Sequence, residues 1–352
     1  MARRVVVAAA VLALAALLAC GGGGGGGHAG GPGPDLPRNV WTWVDVPGAV
    51  CSDGSGTGIA VNRGTDDAEV VVFLDGGGAC WDLLTCFTFK TANPGPFARP
   101  QFEARIAKAP GTILDRALPG NPYRDATFVF VPYCTGDVHW GDAVQRYPGS
   151  PAAYHHAGRT NLAADLDLLE ASLPAPAKVV VSGASGGGFG SLLAFDDAKQ
   201  RWPSARGYLV DDSGPPFVKD DISPAIRAAW FAAWRLDRTL LPLCPECATD
   251  LSQLFPTLSR KYPGERLALL SSTQDSVIRA FTLLGPSEFE SAILRLATDV
   301  VNPLPTARTF LVPGDTHTMV GHPVDFTAGG VPLVEWLRRQ VEDDPAWAAE
   351  GP

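Results

Sequence analysis

Lys178-Val179-Val180-Val181-Ser182-Gly183-Ala184-Ser185-Gly186-Gly187-Gly188-Phe189 reads as a buried strand, a sharp turn and the start of a helix. The opening residues are apolar and β-branched without alternation, which suits a strand covered on both faces. Gly183-Ala184-Ser185-Gly186-Gly187 matches G-x-S-x-G, a turn that holds a serine in strained backbone and tolerates only tiny neighbours. The helix beyond it offers free N–H groups and a positive dipole end to an anion beside Ser185. The competing reading is a glycine-rich turn that binds phosphate or nothing. Ser191 and Leu193 break the G-x-G-x-x-G spacing, and no Gly-Lys-[Ser/Thr] ending follows.

Working outward, similar apolar runs recur at Val70–Leu74, Thr127–Val131, Gly207–Val210, Leu267–Leu270 and Thr309–Val312. Each ends in a polar or glycine-rich segment. Helical patterns lie between them: Asn161–Leu173 with Leu162, Leu166 and Leu169 at helical spacing and Thr160 as N-cap, Phe189–Arg201, and Pro332–Val341. This alternation predicts an α/β-hydrolase-like, doubly wound domain with a mostly parallel sheet, its ligand site beyond the carboxyl ends of the strands.

A serine esterase needs N–H donors aimed at the developing oxyanion. One is expected from Gly186, after the nucleophile. The others are expected from the early glycine-rich loop Asp75-Gly76-Gly77-Gly78-Ala79, at Gly77 and Gly78. The serine also needs a base, and the fold's chain order is Ser, acid, His. His317 lies directly after the last strong strand and is the expected base, with His322 the second choice. Asp275, after the next-to-last strand, is the expected acid. Asp211 and Asp212 are its rivals at the end of the strand after the turn, and Asp315 is a weaker third.

The first residues speak to compartment. Arg3 and Arg4 precede the apolar run Val5–Leu18, too short for a comfortable span, as in a signal peptide. Leu17-Leu18-Ala19-Cys20 resembles the bacterial lipobox, so residues 1–20 read as a lipoprotein signal with Cys20 lipidated. Residues 21–37 read as a Gly/Pro-rich linker and 38–345 as one catalytic domain. The protein is then exported, lipid-anchored in a bacterial envelope or secreted. Six further cysteines suit disulfides in that setting. Short loops suggest Cys80–Cys86 and Cys244–Cys247, which leaves Cys51–Cys134. Zinc is the competing reading for Cys244 and Cys247, but no second ligand pair lies nearby.

The net charge of −9 argues against a nucleic-acid partner and gives no steering toward a polyanion. Asp137, His139, Asp142, His155 and His156 match no named metal spacing, so neither metal nor cofactor is expected.

Phe73–Cys80, Pro132–Asp137, Ser182–Gly187 and Asp212–Gly214 together resemble the pectin acetylesterase and Notum family, from about residue 40 to His317. The resemblance implies an α/β-hydrolase fold and a Ser-Asp-His triad, which fall on Ser185, Asp275 and His317. It also implies an oxyanion hole at Gly77, Gly78 and Gly186, and a Cys80–Cys86 pair flanking that loop. The chain departs where the family often carries a bulky aromatic, here Gly78, and it matches least well around Asp275. An exported monomeric serine esterase acting on an acetylated carbohydrate is expected. A lipid or protein deacylase on the same fold and a non-catalytic glycan-binding lipoprotein are the rivals.

Overall fold

The computed structural model describes residues 36–352. Its centre is an eight-stranded sheet in the order β1-β2-β4-β3-β7-β8-β9-β10. The strands are β1 (Trp41–Val50), β2 (Gly56–Asn62), β3 (Glu69–Leu74), β4 (Thr127–Val131), β7 (Lys178–Ala184), β8 (Arg206–Asp212), β9 (Arg266–Ser272) and β10 (Ala307–Val312). A two-stranded ribbon, β5 (Ala143–Gln145) with β6 (Tyr154–His156), sits apart from it. The helices are α1 (Arg99–Ile106), α2 (Gly158–Ser172), α3 (Gly186–Arg201), α4 (Pro224–Trp234), α5 (Leu236–Thr239), α6 (Leu254–Lys261), α7 (Ser276–Thr282), α8 (Pro286–Arg295) and α9 (Leu333–Val341).

Within the eight-stranded sheet, β4, β3, β7, β8, β9 and β10 pair in parallel, and β1 and β2 join antiparallel at one edge. The mostly parallel α/β-hydrolase-like sheet expected from the apolar runs is present. Alternate residues of each central strand enter two separate cores. Val70, Val72, Val179, Val181 and Leu209 pack with Leu162 and Leu166 of α2 and with Leu192 and Phe195 of α3. Val71, Val180, Tyr208, Val210 and Phe310 pack with Phe102 of α1 and with Trp336 and Leu337 of α9. Both faces are therefore covered, which explains why these strands carry apolar residues without alternation.

Two helix starts differ from expectation. Helix α2 begins at Gly158 rather than Asn161, and Thr160 lies inside it. The cap comes from a distant residue: the Gly158 N–H donates to the buried Asp137 carboxylate at 2.7 Å. Helix α3 begins at Gly186, directly after the turn. The parallel topology brings the carboxyl ends of β7, β8, β9 and β10 to one edge, side by side. Among the described residues, no helix is long and apolar enough to cross a membrane. Cys20 and residues 1–35 lie outside the described residues.

Candidate active site

Ser185 stands alone between β7 and α3, half-buried, with φ 60° and ψ −120°. A side chain in that backbone region costs on the order of 1–3 kcal/mol, so the surroundings must impose it. They do so by close packing. A Cβ on Gly187 would lie 2.0 Å from the Leu74 carbonyl, and one on Gly76 would lie 2.4 Å from the Ala184 carbonyl. Only glycine lets β3, the turn and α3 approach this closely. The Ser185 N–H donates to the Asp212 carbonyl at 2.8 Å, which ties the turn to the end of β8.

His317 and Asp275 come from the next two strand ends. The loops after β9 and β10 are zipped together by backbone: Thr273 N–H donates to Val312 O at 2.8 Å, Gln274 to Gly314 at 2.8 Å, and Ser276 to Asp315 at 3.0 Å. His317 Nδ1 donates to the Asp275 carboxylate, 2.8 Å from Oδ2 and 3.0 Å from Oδ1. Asp275 is fully buried, while the His317 side chain is 19 % exposed. Asp275 Oδ1 also accepts the N–H groups of Val277 and Ile278 at 2.9 Å, capping α7. Fixing Nδ1 as the donor leaves Nε2 as the nitrogen able to take a proton. No hydrogen bond joins Ser185 Oγ to His317 among the described residues, and such bonds often tighten only when substrate binds.

The rival acids face elsewhere. Asp212 Oδ2 accepts the N–H groups of Met319 and Val320, at 2.7 and 2.8 Å, rather than the imidazole. Burial pushes the Asp212 carboxyl up to about 6, against the opposing pull of those two N–H groups. Asp211 accepts from the Gly214 N–H at 2.8 Å, and burial drives its carboxyl well above the ordinary range. Asp315 and His322 are exposed.

Gly78, at φ +81°, and Gly186 line the same cleft as Ser185. Gly77 stands behind them, its carbonyl accepting the Asn93 N–H at 2.9 Å. The Tyr133 hydroxyl, buried, donates to Gly78 O at 2.8 Å and accepts from Val138 N–H at 2.9 Å, so it fixes the glycine loop. Trp140, Phe189, Trp230, Trp234 and Phe281 form much of the wall of this narrow cleft. Neither Tyr133 nor this aromatic wall was identified from the sequence. Trp230 and Trp234, four residues apart on α4, are stacked with ring centroids 5.6 Å apart, and that spacing was the available signal.

Three disulfides join Cys51 to Cys134, Cys80 to Cys86 and Cys244 to Cys247. Zinc at the last pair is thereby overturned, because bridged sulfurs do not ligate as thiolates. The polar groups near residue 137 are also spent. Asp137 accepts from the Thr135 hydroxyl and the N–H groups of His139 and Gly158. His139 Nε2 donates to Asp75 O at 2.9 Å. His156 Nδ1 donates to Thr135 O at 3.0 Å, and its Nε2 accepts from the Tyr147 hydroxyl at 2.8 Å.

A family model described as pectinacetylesterase matches residues 40–276, which include Ser185 and Asp275 but not His317. Among curated relatives, Pectin acetylesterase 11 of Arabidopsis thaliana is 26% identical over 171 residues, covering 47% of this chain and 42% of that protein. Palmitoleoyl-protein carboxylesterase notum2 of Xenopus laevis is 28% identical over 148 residues, covering 42% of this chain and 29% of that protein. Palmitoleoyl-protein carboxylesterase NOTUM of Homo sapiens is 28% identical over 171 residues, covering 47% and 34%. The chain spans less than half the length of the curated relatives it matches.

Proposed function

This chain belongs to the pectinacetylesterase family, and from that premise we propose that it is a carboxylic-ester hydrolase in which Ser185, His317 and Asp275 act through an acyl-enzyme. One observation carries the reading. A serine held in strained backbone and lining an apolar cleft shares its strand edge with a His–Asp pair whose carboxylate is fully buried.

In the first half-reaction, His317 Nε2 takes the Ser185 Oγ proton as Oγ attacks the ester carbonyl carbon. The carbonyl electrons move onto oxygen, and the N–H groups of Gly78 and Gly186, with Gly77 behind, stabilise that charge. Asp275 stabilises the imidazolium and holds its tautomer. His317 then protonates the departing alkoxide. In the second half, His317 takes a proton from water, the hydroxide attacks the acyl carbon, and Ser185 leaves with its proton restored.

The substrate reading is an acetylated carbohydrate, supported by the family and by Pectin acetylesterase 11 among the relatives. A second reading is favoured by one observation: the cleft beside Ser185 is walled almost wholly by apolar and aromatic side chains. Such a wall suits a hydrophobic acyl chain, as in a deacylase. Export is supported by the three disulfides, which persist in oxidising compartments. The Leu17–Cys20 segment supports a signal over residues 1–20 with lipid attachment at Cys20 in a bacterial envelope, ahead of a 21–37 linker and a 38–345 catalytic domain.

The test is a panel of nitrophenyl esters of rising acyl length, run on wild type and Ser185→Ala. Wild type is expected to turn over the acetyl ester best, and Ser185→Ala is expected to be inactive with unchanged circular dichroism. A preference for long chains would replace the acetyl reading with the deacylase one. Undiminished turnover by Ser185→Ala would reject the nucleophile.

A further inference from the structure

Between the strand that delivers Ser185 and the two that deliver Asp275 and His317 lies β8, which supplies no member of the proposed triad. Its last residue, Asp212, nonetheless touches both sides of the reaction centre. Its backbone carbonyl accepts the Ser185 N–H at 2.8 Å. Its side-chain Oδ2 accepts the N–H groups of Met319 and Val320, 107 and 108 residues further along the chain, at 2.7 and 2.8 Å. Those N–H groups begin two residues after His317, across Thr318, whose φ is +65°. The other carboxylate oxygen accepts from the Ser213 hydroxyl at 3.2 Å.

From this arrangement, and resting on the triad reading above, we infer that Asp212 is the positioning residue that holds the nucleophile turn and the His317 loop in register. The loop after β10 has left the sheet ladder by Gly314, which lies at φ +113°. Its link to the β9 side ends with Asp315, which accepts from Ser276. Beyond His317, the next anchors are the two N–H bonds to Asp212. His317 is therefore held on one side by Asp275 through its ring and on the other by Asp212 through its loop. Because the Asp212 main chain also grips Ser185, a movement of the β8 end carries serine and histidine together. Asp212 is fully buried, so these charge-assisted bonds are shielded from water. Its carboxylate stays off the imidazole, which separates its role from that of Asp275.

The experiment compares Asp212→Ala, Asp212→Asn, Ser185→Ala and His317→Ala on the nitrophenyl ester that wild type hydrolyses best. The Asn side chain keeps one oxygen that can accept both N–H bonds and nearly the same volume, so it tests the tether even where the Ala variant unfolds. Asp212→Ala is expected to lower kcat about 100-fold, the scale of a 1 Å misplacement of a reacting group, with KM changed by less than about threefold. Asp212→Asn is expected to recover kcat to within about tenfold of wild type, since the acceptor geometry remains. Wild-type kcat in both Asp212 variants would overturn the inference. So would raised KM at constant kcat. Loss in Asp212→Asn as deep as in His317→Ala would make Asp212 the triad acid instead. If Ser185→Ala keeps its turnover, the triad reading fails; if only the Asp212 variants depart from expectation, this inference fails alone.

Discussion

Asp275 performs two tasks with one carboxylate. It accepts the imidazole Nδ1–H and caps the first turn of α7. The two tasks respond differently to substitution. Asp275→Asn still offers an oxygen to the helix N–H groups, so the cap is expected to change stability by less than about 1 kcal/mol. The same change removes the charge and permits the wrong histidine tautomer, so hydrolysis is expected to fall about 10⁴-fold. Thermal unfolding and kcat on one preparation check both, and near-wild-type kcat would remove Asp275 from the mechanism. The sequence could rank Asp275 above Asp212 only by strand position, because both are aspartates at strand ends. Asp275 meets a ring nitrogen and Asp212 meets two main-chain N–H groups from over a hundred residues away. Such long-range partners leave no local signal.

At the scale of elements, the six central parallel strands were legible because burial on both faces demands continuous apolar runs. The edge pair β1 and β2 was not identified. β1 is partly exposed and is interrupted by Pro47 and Gly48, with a shift of register between Asp45 and Val50. The start of α2 was misplaced because its cap is Asp137, a tertiary neighbour rather than a sequence neighbour. The disulfides also act at this scale. Cys51–Cys134 spans 83 residues and pins the β1–β2 turn to the segment after β4, whereas Cys244–Cys247 spans 3. On the chain-entropy model the longer closure contributes roughly 4.5 kcal/mol and the shorter one roughly 1.6 kcal/mol. Replacing Cys51 and Cys134 together by serine is expected to lower the Tm more than replacing Cys244 and Cys247. The reverse order in thermal unfolding would show that local strain or packing dominates.

For the molecule as a whole, buried titratable groups set the response to pH. Burial pushes His139 down to about 4 and His156 down to about 3. Their folded values lie below the free imidazole value of about 6.5. Their contribution is therefore present above that value and is lost as pH falls, because the unfolded chain takes up protons the folded one refuses. Burial raises Asp212 and Asp197 to about 6 and Glu69 to about 7, and these act with the opposite slope. Their folded forms retain protons, so their favourable contribution is lost as pH rises through those values. A variant separates the two sets. His156→Gln is expected to be less stable at pH 7.5 through its lost bonds, yet to lose less Tm than wild type between pH 6.5 and 4. An unchanged slope of Tm against pH would show that His156 is not the proton site responsible.

The proposed reacting groups reach one edge from three strands whose contributions stand at positions 185, 275 and 317. A nascent or clipped polypeptide that stops short of the last of them holds a serine with no partner to awaken it. On the triad reading, a chain not yet folded through residue 317 is expected to show no ester hydrolysis.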